Sequence, residues 1–176
     1  DDSDCGSDSD FEDCDCDTIG VFIAGGESTY KEMLDDATAR DPRSAYAVGL
    51  GNSIGSLATR VAYHFDCTGP AITANTNCSS GLSILQLAID ALRDGRCSTA
   101  VVGATSIAFP QYGYFYQAGM IMSERGICAP FSAGADGAVG GSSVSAVVLR
   151  RQDLAGRLGN SVYSIVRSVA TNNDGR

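Results

Sequence analysis

One cysteine, Cys78, lies where the chain changes from a strand pattern to a helix pattern, and this position favours nucleophilic chemistry. It occurs within Ala74-Asn75-Thr76-Asn77-Cys78-Ser79-Ser80-Gly81-Leu82. Amide N–H groups in the first turn of a helix lack intrahelical acceptors, and the helix dipole favours negative charge there. Both effects lower a thiol pKa, and these N–H groups, including that of Cys78, can stabilise the oxyanion formed when a thiolate attacks a thioester. The residues alone leave a second interpretation open, because cysteine is also a common buried residue without chemistry.

The surrounding pattern alternates strands with helices and therefore predicts an α/β fold. The second predicted helix is apolar nearly all round, which is typical of a buried helix. A loop-rich stretch spans Phe109–Gly141. The predicted strands are Ile19–Ala24, Ala71–Thr76, Thr99–Ser106, Val144–Arg150 and Val162–Ala170, and the predicted helices are Tyr46–Phe65 and Ser80–Leu92.

The charge of the chain is concentrated at one end. Nine of its 21 acidic residues lie in Asp1–Asp17, and the other twelve balance the twelve Lys and Arg. There is no basic stripe for nucleic acid, no apolar run of transmembrane length and no basic start of a signal peptide. We expect an intracellular, cytoplasmic protein whose seven cysteines are reduced.

The acidic segment, residues 1–17, is low in complexity and predicts a disordered or loosely held tail before a domain spanning 18–176. Cys14-Asp15-Cys16, with Cys5 nearby, has neither the spacing of a zinc knuckle nor a neighbouring histidine. We therefore predict a solvated acidic segment rather than a metal site.

The Thr76-Asn77-Cys78-Ser79-Ser80 stretch is similar to the Thr-Ala-Cys-Ser-Ser type motif of polyketide ketosynthases, which are β-ketoacyl synthases. Further blocks resemble the family in the right order between Thr18 and Arg176. These blocks are Arg60–Asp66 with Gly69-Pro70, Ala100–Ala104, Tyr116–Met120, Gly126–Phe131, Ala135–Gly137 and Asn172–Gly175.

The resemblance implies part of a thiolase-like, layered αβαβα fold. It also implies that Cys78 accepts an acyl chain from the phosphopantetheine of a carrier protein, and that decarboxylated malonyl then attacks the acyl-enzyme. No directly bound cofactor or metal is implied. The implied partners are an acyl carrier protein, other synthase domains and a second copy, with Thr99–Ser106 pairing across the homodimer.

Three positions depart from the family pattern. They are Asn77, usually Ala; Ser132, often Asp; and Gly141-Ser142-Ser143, usually Gly-Glu-Gly or Gly-Gly-Gly. The two family histidines would follow Asn172–Gly175. We therefore expect residues 1–176 alone to be inactive in condensation. The alternatives are a ketosynthase-type domain that releases or cyclises its product, and a non-catalytic acyl-binding or dimerising remnant.

Two further motifs invite other functions. His64, the only histidine, suggests a Cys–His hydrolase, but its place beside an apolar stripe favours a packing residue at a helix end. The glycine-rich segment Gly49–Gly55 suggests a dinucleotide loop, but its spacing is wrong, and close helix packing explains it better.

Overall fold

The computed structural model describes residues 17–31, 33–34, 41–110, 113–173 and 175. Strands and helices alternate along much of the chain, as the sequence predicts. The elements are β1 (Ile19–Gly25), α1 (Pro42–Gly51), a 3-10 turn (Ile54–Ser56), α2 (Leu57–His64), β2 (Ala71–Ala74), a 3-10 turn (Asn77–Ser79), α3 (Ser80–Arg93), β3 (Thr99–Ser106), β4 (Ser143–Arg150) and α4 (Gln152–Arg157).

Within the described residues the strands form one four-stranded sheet in the order β2-β1-β3-β4. β1 and β2 are parallel, with Val21 opposite Ala71 and Ala24 opposite Ala74. Parallel neighbours need a long crossover between them. The residues that connect β1 to β2 include α1 and α2 and provide this crossover.

Helices cover both faces of β1, because successive side chains of a strand point to opposite faces. Phe22 packs with Ile84 of α3, whereas Val21 packs with Ala58 of α2. The α3 side of the core consists of Phe22, Ala24, Ile84, Ala88, Ala91, Leu92, Cys97, Ala100 and Val102. Helix, sheet and helix therefore lie in layers.

The chain divides into two compact units. The first takes in the described residues of Asp1–Gly25, Gly55–Ala104 and Ala146–Arg176, and the second those of Gly26–Ile54 and Thr105–Ser145. The prediction for the acidic tail falls on residues 1–16, outside the described residues. Asp17 is described, and its carboxylate accepts hydrogen bonds from Ser98, Thr99 and Arg150, which lower its pKa.

In the second unit, a group of polar side chains that we call the Ser123 cluster holds the loop together. Ser123 is fully buried and donates to Asp136 Oδ1 at 2.6 Å, while Arg125 Nε lies 3.1 Å from Asp136 Oδ2. These two hydrogen bonds, that of Ser123 first, lower the pKa of Asp136 to about 2. Tyr114 closes the cluster by donating to the carbonyl of Ser123 at 2.7 Å.

The single helix predicted for Tyr46–Phe65 is wrong, because the segment contains two helices. Asn52 ends α1: its backbone N–H and its side-chain Nδ2 both donate to the carbonyl of Val48, at 3.0 and 2.8 Å. A side chain that competes for a helix carbonyl in this way favours termination. The apolar spacing persists across the break, which is why periodicity alone missed it.

The strand predicted for Val162–Ala170 is also wrong, since residues 161–170 have no regular secondary structure. β-branched residues favour a strand only where a neighbouring strand completes its hydrogen bonds. No strand among the described residues pairs with this segment. The other four predicted strands are confirmed, with ends shifted by at most two residues.

The predicted position of the dimer strand needs correction as well. β3 lies between β1 and β4 and is hydrogen-bonded to both, so it has no free side along which a second copy could pair. Among the described strands, the ends of the sheet are β2 and β4.

The helix predicted at Ser80–Leu92 is confirmed as α3, but its apolar surface is not buried all round. Ile84 is fully buried, whereas Leu82 is 68% exposed and Leu87 is 41% exposed. The described residues therefore bury one face of this helix and leave these two leucines partly exposed.

Candidate active site

Cys78 lies where the sequence places it, in the connection between β2 and α3. It occupies the middle of the 3-10 turn Asn77–Ser79, and α3 begins two residues later at Ser80. Its side chain is exposed. We call residues 75–80 the elbow.

Both arms of the elbow are anchored in the core. β2 is paired in register with β1, and Gly69 approaches β1 so closely that a Cβ there would lie 2.6 Å from the carbonyl oxygen of Ile19. Thr73 Oγ1 accepts the backbone N–H of Ala58 at 3.0 Å and ties β2 to α2. α3 is held through Ile84, which packs with Phe22. The position of the elbow therefore follows from buried packing rather than from the loop alone.

Ser80 is the polar centre of the elbow and is only 8% exposed. Its Oγ accepts the N–H of Thr76 at 2.8 Å and donates to the carbonyl of Asn77 at 2.6 Å. Asn75 Oδ1 accepts the N–H of Asn77 at 2.9 Å and lies 3.3 Å from Ser80 Oγ. Two side chains thus satisfy three backbone groups in the turn that leads to Cys78.

A second, outer group of hydroxyls lies on the exposed side of the elbow. Thr76 Oγ1 lies 2.8 Å from Ser79 Oγ and 3.1 Å from Ser83 Oγ, and Ser79 also donates to the carbonyl of Thr76 at 2.8 Å. Because these groups are exposed, water can replace their partners at little cost.

Asn77 has a left-handed backbone, with φ of 57°. This region is disfavoured for residues with a Cβ, although asparagine enters it more readily than most. The conformation changes the direction of the chain just before Cys78.

The chemistry available to the thiol comes from the start of α3. Ser79, the N-cap residue of α3, makes no side-chain capping hydrogen bond, and the backbone N–H of Ser80 donates to the carbonyl of Asn77 within the turn. Within the described residues the structure shows no hydrogen bond to Cys78 Sγ. The arrangement presents an exposed thiol next to the positive, N-terminal end of the α3 dipole.

His64 is not paired with Cys78. It is the last residue of α2, it is exposed, and its ring packs edge-on against Phe65 with centroids 4.8 Å apart. This agrees with the interpretation of His64 as a residue at a helix end and gives no support to a Cys–His hydrolase.

The other described cysteines differ from Cys78 in environment. Cys67, Cys97 and Cys128 are free thiols, and of these only Cys128 is exposed. Burial raises the pKa of the Cys97 thiol and makes it a poor nucleophile. The predicted absence of a metal at Cys5, Cys14 and Cys16 concerns positions outside the described residues.

The described part of the chain offers neither a metal cluster nor a membrane-spanning helix. No group of three or more His, Cys, Asp or Glu side chains is placed there to hold a metal ion. None of its helices is long and apolar enough to span a membrane.

Residues 4–155 match the family model described as "Beta-ketoacyl synthase, N-terminal domain". The chain belongs to the β-ketoacyl synthase family. The match begins within the acidic segment, and the domain boundary at residue 18 stays a prediction.

Similar proteins are polyketide synthases and hybrid synthetases. The chain is 40% identical over 158 residues to a hybrid PKS-NRPS synthetase of Gloeophyllum trabeum, covering 90% of this chain and 10% of that protein. It is 37% identical over 169 residues to a phenolphthiocerol/phthiocerol polyketide synthase of Mycobacterium tuberculosis, covering 90% of this chain and 11% of that protein. The chain therefore spans about a tenth of these relatives.

Solved ketosynthases share the fold. Ketosynthase twelve of the bacillaene polyketide synthase of Bacillus amyloliquefaciens matches with a TM-score of 0.78 and 28% identity, over 89% of this chain and 28% of that one. A ketosynthase from module 1 of the bacillaene synthase of the same species matches with a TM-score of 0.77 and 26% identity, over 90% of this chain and 29% of that one. The fold is thiolase-like, as predicted, and the described residues form part of it.

The sequence of this ketosynthase chain locates Cys78, but it does not reveal the polar network that Asn75 and Ser80 form around the elbow. A signal was present, since Asn and Ser are the residues whose side chains bond nearby backbone groups in turns. Which backbone group each one takes depends on the packing of β2 and α3.

Proposed function

We propose that Cys78 is the acyl-accepting nucleophile of a ketosynthase domain in a polyketide synthase or hybrid synthetase. One observation carries this proposal: in a β-ketoacyl synthase chain, Cys78 is exposed at an elbow between a core strand and the first turn of a packed helix. Buried cysteines such as Cys97 lack that access.

The proposed step is transfer of an acyl group between two thiols. Cys78 Sγ, as the thiolate, attacks the thioester carbonyl carbon, and a new C–S bond forms. The oxyanion then collapses, the bond to the carrier's sulfur breaks, and that thiolate leaves and takes up a proton. The N–H of Cys78 and its neighbours in the first turn of α3 stabilise the oxyanion.

The proposed second step is condensation. The carbanion formed by decarboxylation of malonyl on a carrier protein attacks the acyl-Cys78 carbonyl and releases Cys78. No residue of the described elbow is suited to assist the decarboxylation, and the chain's one histidine packs against Phe65. We therefore assign acyl acceptance, but not decarboxylation, to these residues.

The test of acyl acceptance is intact-mass spectrometry after incubation with an acyl-N-acetylcysteamine thioester. We expect one acyl adduct on the wild-type protein and none on Cys78→Ala. Cys128→Ala is the matched control, because Cys128 is the other exposed described thiol, and it should keep the adduct. An adduct that survives Cys78→Ala, or its absence from the wild type, would contradict the proposal.

The same experiment separates the alternatives. With malonyl-carrier protein added, we expect the acyl adduct to persist without a ketoacyl product. Loss of the adduct as a free acid or a cyclised product would favour a releasing domain. A protein that binds the thioester without forming an adduct would be a non-catalytic remnant.

The partners belong to the proposal as well. We infer an acyl carrier protein that presents phosphopantetheine thioesters, other synthase domains, a cytoplasmic location and a homodimer. In the homodimer, we expect a second copy to pair along β2 rather than along β3, because β2 lies at an end of the sheet. An end strand offers unpaired backbone groups to a second copy.

A further inference from the structure

We propose that Asn75, Asn77 and Ser80 are positioning residues that fix the direction of the Cys78 thiol and of its backbone N–H. This inference rests on the proposed role of Cys78. Asn75 and Ser80 act through their side chains and Asn77 through its backbone, and none of the three has to touch the substrate.

The direction of the Cys78 thiol is set by the backbone rather than by a side-chain partner. The structure shows no hydrogen bond to Cys78 Sγ among the described residues, and the side chain is exposed. Its direction therefore depends on the backbone of the 3-10 turn. An error of about 1 Å in the position of a reacting group is enough to slow a reaction severely.

Asn77 fixes the backbone conformation of the turn that carries the thiol. Its φ of 57° reverses the chain immediately before Cys78. Glycine adopts this conformation freely, asparagine tolerates it, and alanine resists it. The side-chain amide of Asn77 has no hydrogen-bond partner in the described part of the chain, so its contribution comes through the backbone.

Ser80 and Asn75 hold the backbone of Asn77 on both sides of its Cα. Ser80 Oγ donates to the carbonyl of Asn77 at 2.6 Å, and Asn75 Oδ1 accepts the N–H of Asn77 at 2.9 Å. Ser80 is nearly buried and lies on the first turn of α3, so it couples the 3-10 turn to that helix. Loss of Asn75 leaves the N–H of Asn77 without this acceptor, and loss of Ser80 Oγ leaves the carbonyl of Asn77 with only the backbone N–H of Ser80.

The experiment measures the rate at which iodoacetamide alkylates Cys78, as a function of pH, in the full chain. Peptide mass spectrometry reads Cys128 in the same sample as an internal reference, because it is also exposed. For Asn77→Ala we expect the Cys78 rate to fall roughly three- to tenfold, since alanine resists the left-handed conformation. Asn77→Gly should keep at least half of the wild-type rate, because glycine retains the conformation without the side chain.

A second pair covers the case in which Asn77→Ala does not fold. Asn75→Asp keeps an oxygen acceptor for the N–H of Asn77, whereas Asn75→Ala does not. We expect Asn75→Ala to slow alkylation of Cys78, and Asn75→Asp to keep the wild-type rate at high pH because it retains the oxygen acceptor.

The matched control is Ser83→Ala, which removes an outer hydroxyl from the same helix. It should leave the ratio of the Cys78 and Cys128 rates unchanged. Equal losses in Asn77→Gly and Asn77→Ala, or a parallel fall at Cys78 and Cys128, would overturn the positioning role.

The two proposals fail in different ways. If the wild type forms no acyl adduct although iodoacetamide alkylates Cys78, the proposed function is wrong. The alkylation rates of the variants then still test the positioning role. If the adduct forms and the Asn77 and Asn75 pairs do not differ, the positioning role alone is wrong.

Discussion

The elbow and the Ser123 cluster are both built around a serine that is nearly or fully buried, but they hold their turns with different chemistry. Ser80 bonds two backbone groups within an uncharged network, whereas Ser123 donates to the carboxylate of Asp136. Hydrogen bonds to charged groups are stronger than neutral ones. The charged network stabilises a loop through hydrogen bonds within that loop. The neutral network lies next to the thiol and is supported on either side by β2 and α3, which are packed in the core.

This difference has a functional meaning. A carboxylate next to Cys78 would oppose formation of the thiolate, whereas hydroxyl and amide groups fix the turn without adding charge. The turn at the elbow is therefore held in place without a charged side chain. The Ser123 cluster is not built around a reactive thiol and can use a carboxylate.

The largest effect is expected from Gly137→Ala in the loop of the Ser123 cluster. A Cβ at Gly137 would lie 2.5 Å from the backbone nitrogen of Ser123, and the φ of 151° is itself unfavourable for other residues. We expect a loss of about 3 kcal/mol in the free energy of unfolding, because both overpacking and backbone strain apply. Urea titration measures it.

Gly140→Ala is the control for that substitution, since a Cβ at Gly140 meets nothing within 4 Å. It should change the free energy of unfolding by less than about 0.5 kcal/mol. Similar losses in both variants would show that the loop is held by its glycines in general rather than by the close approach at Gly137.

The next effect is expected from Ser80→Ala and Ser123→Ala, which remove one serine hydroxyl from each region. Each leaves at least one polar group without its partner, so each should cost about 1–3 kcal/mol in the free energy of unfolding. Only Ser80→Ala should also slow alkylation of Cys78, because Ser123 lies outside the elbow.

Thermal unfolding and alkylation measured on the same two proteins check this prediction. Slower alkylation of Cys78 in Ser123→Ala by the same factor as in Ser80→Ala would remove the distinction between the two regions. Ser79→Ala, which alters an exposed hydroxyl, provides the baseline for a serine substitution near the thiol.

The sequence predicted the elements that place Cys78, and the reason is physical. Ala71–Ala74 and α3 are short, strongly apolar segments in which local pattern and tertiary packing agree. The failures occur where they disagree. The apolar spacing at Ile54 and Leu57 continued across a helix end that the Asn52 side chain creates.

Other features depend on partners that no local pattern reveals. Val162–Ala170 has strand-like residues but pairs with no strand among the described residues, and Leu82 is apolar but exposed there. The bonds of Ser80 and Asn75 could not be predicted either, because their choice of backbone groups depends on how β2 and α3 meet. Sequence therefore locates the nucleophile more readily than the network that orients it.

The smallest and most specific effect concerns the titration of Asp136. Its folded pKa of about 2 lies below the ordinary value of 3.8, with the hydrogen bond from Ser123 as the first cause and that from Arg125 as the second. Since the folded pKa is depressed, ionised Asp136 stabilises the loop above about pH 4, and this contribution is lost as the pH falls through about 2. Carboxyl-detected NMR should show the midpoint rise toward 3.8 in Ser123→Ala, with a smaller rise in Arg125→Gln.

The elbow provides the contrast that makes this titration informative. Its hydrogen-bonding side chains are Asn75, Thr76, Ser79 and Ser80, and neither these nor Ser83, which bonds Thr76, titrate between pH 2 and 4. Amide hydrogen exchange corrected for intrinsic rates should therefore lose protection at Arg125, whose N–H bonds Asp136, over this range while the N–H of Thr76 keeps its protection. Equal loss at both amides would mean that acid unfolds the chain as a whole and that the two networks do not differ in the way their chemistry requires.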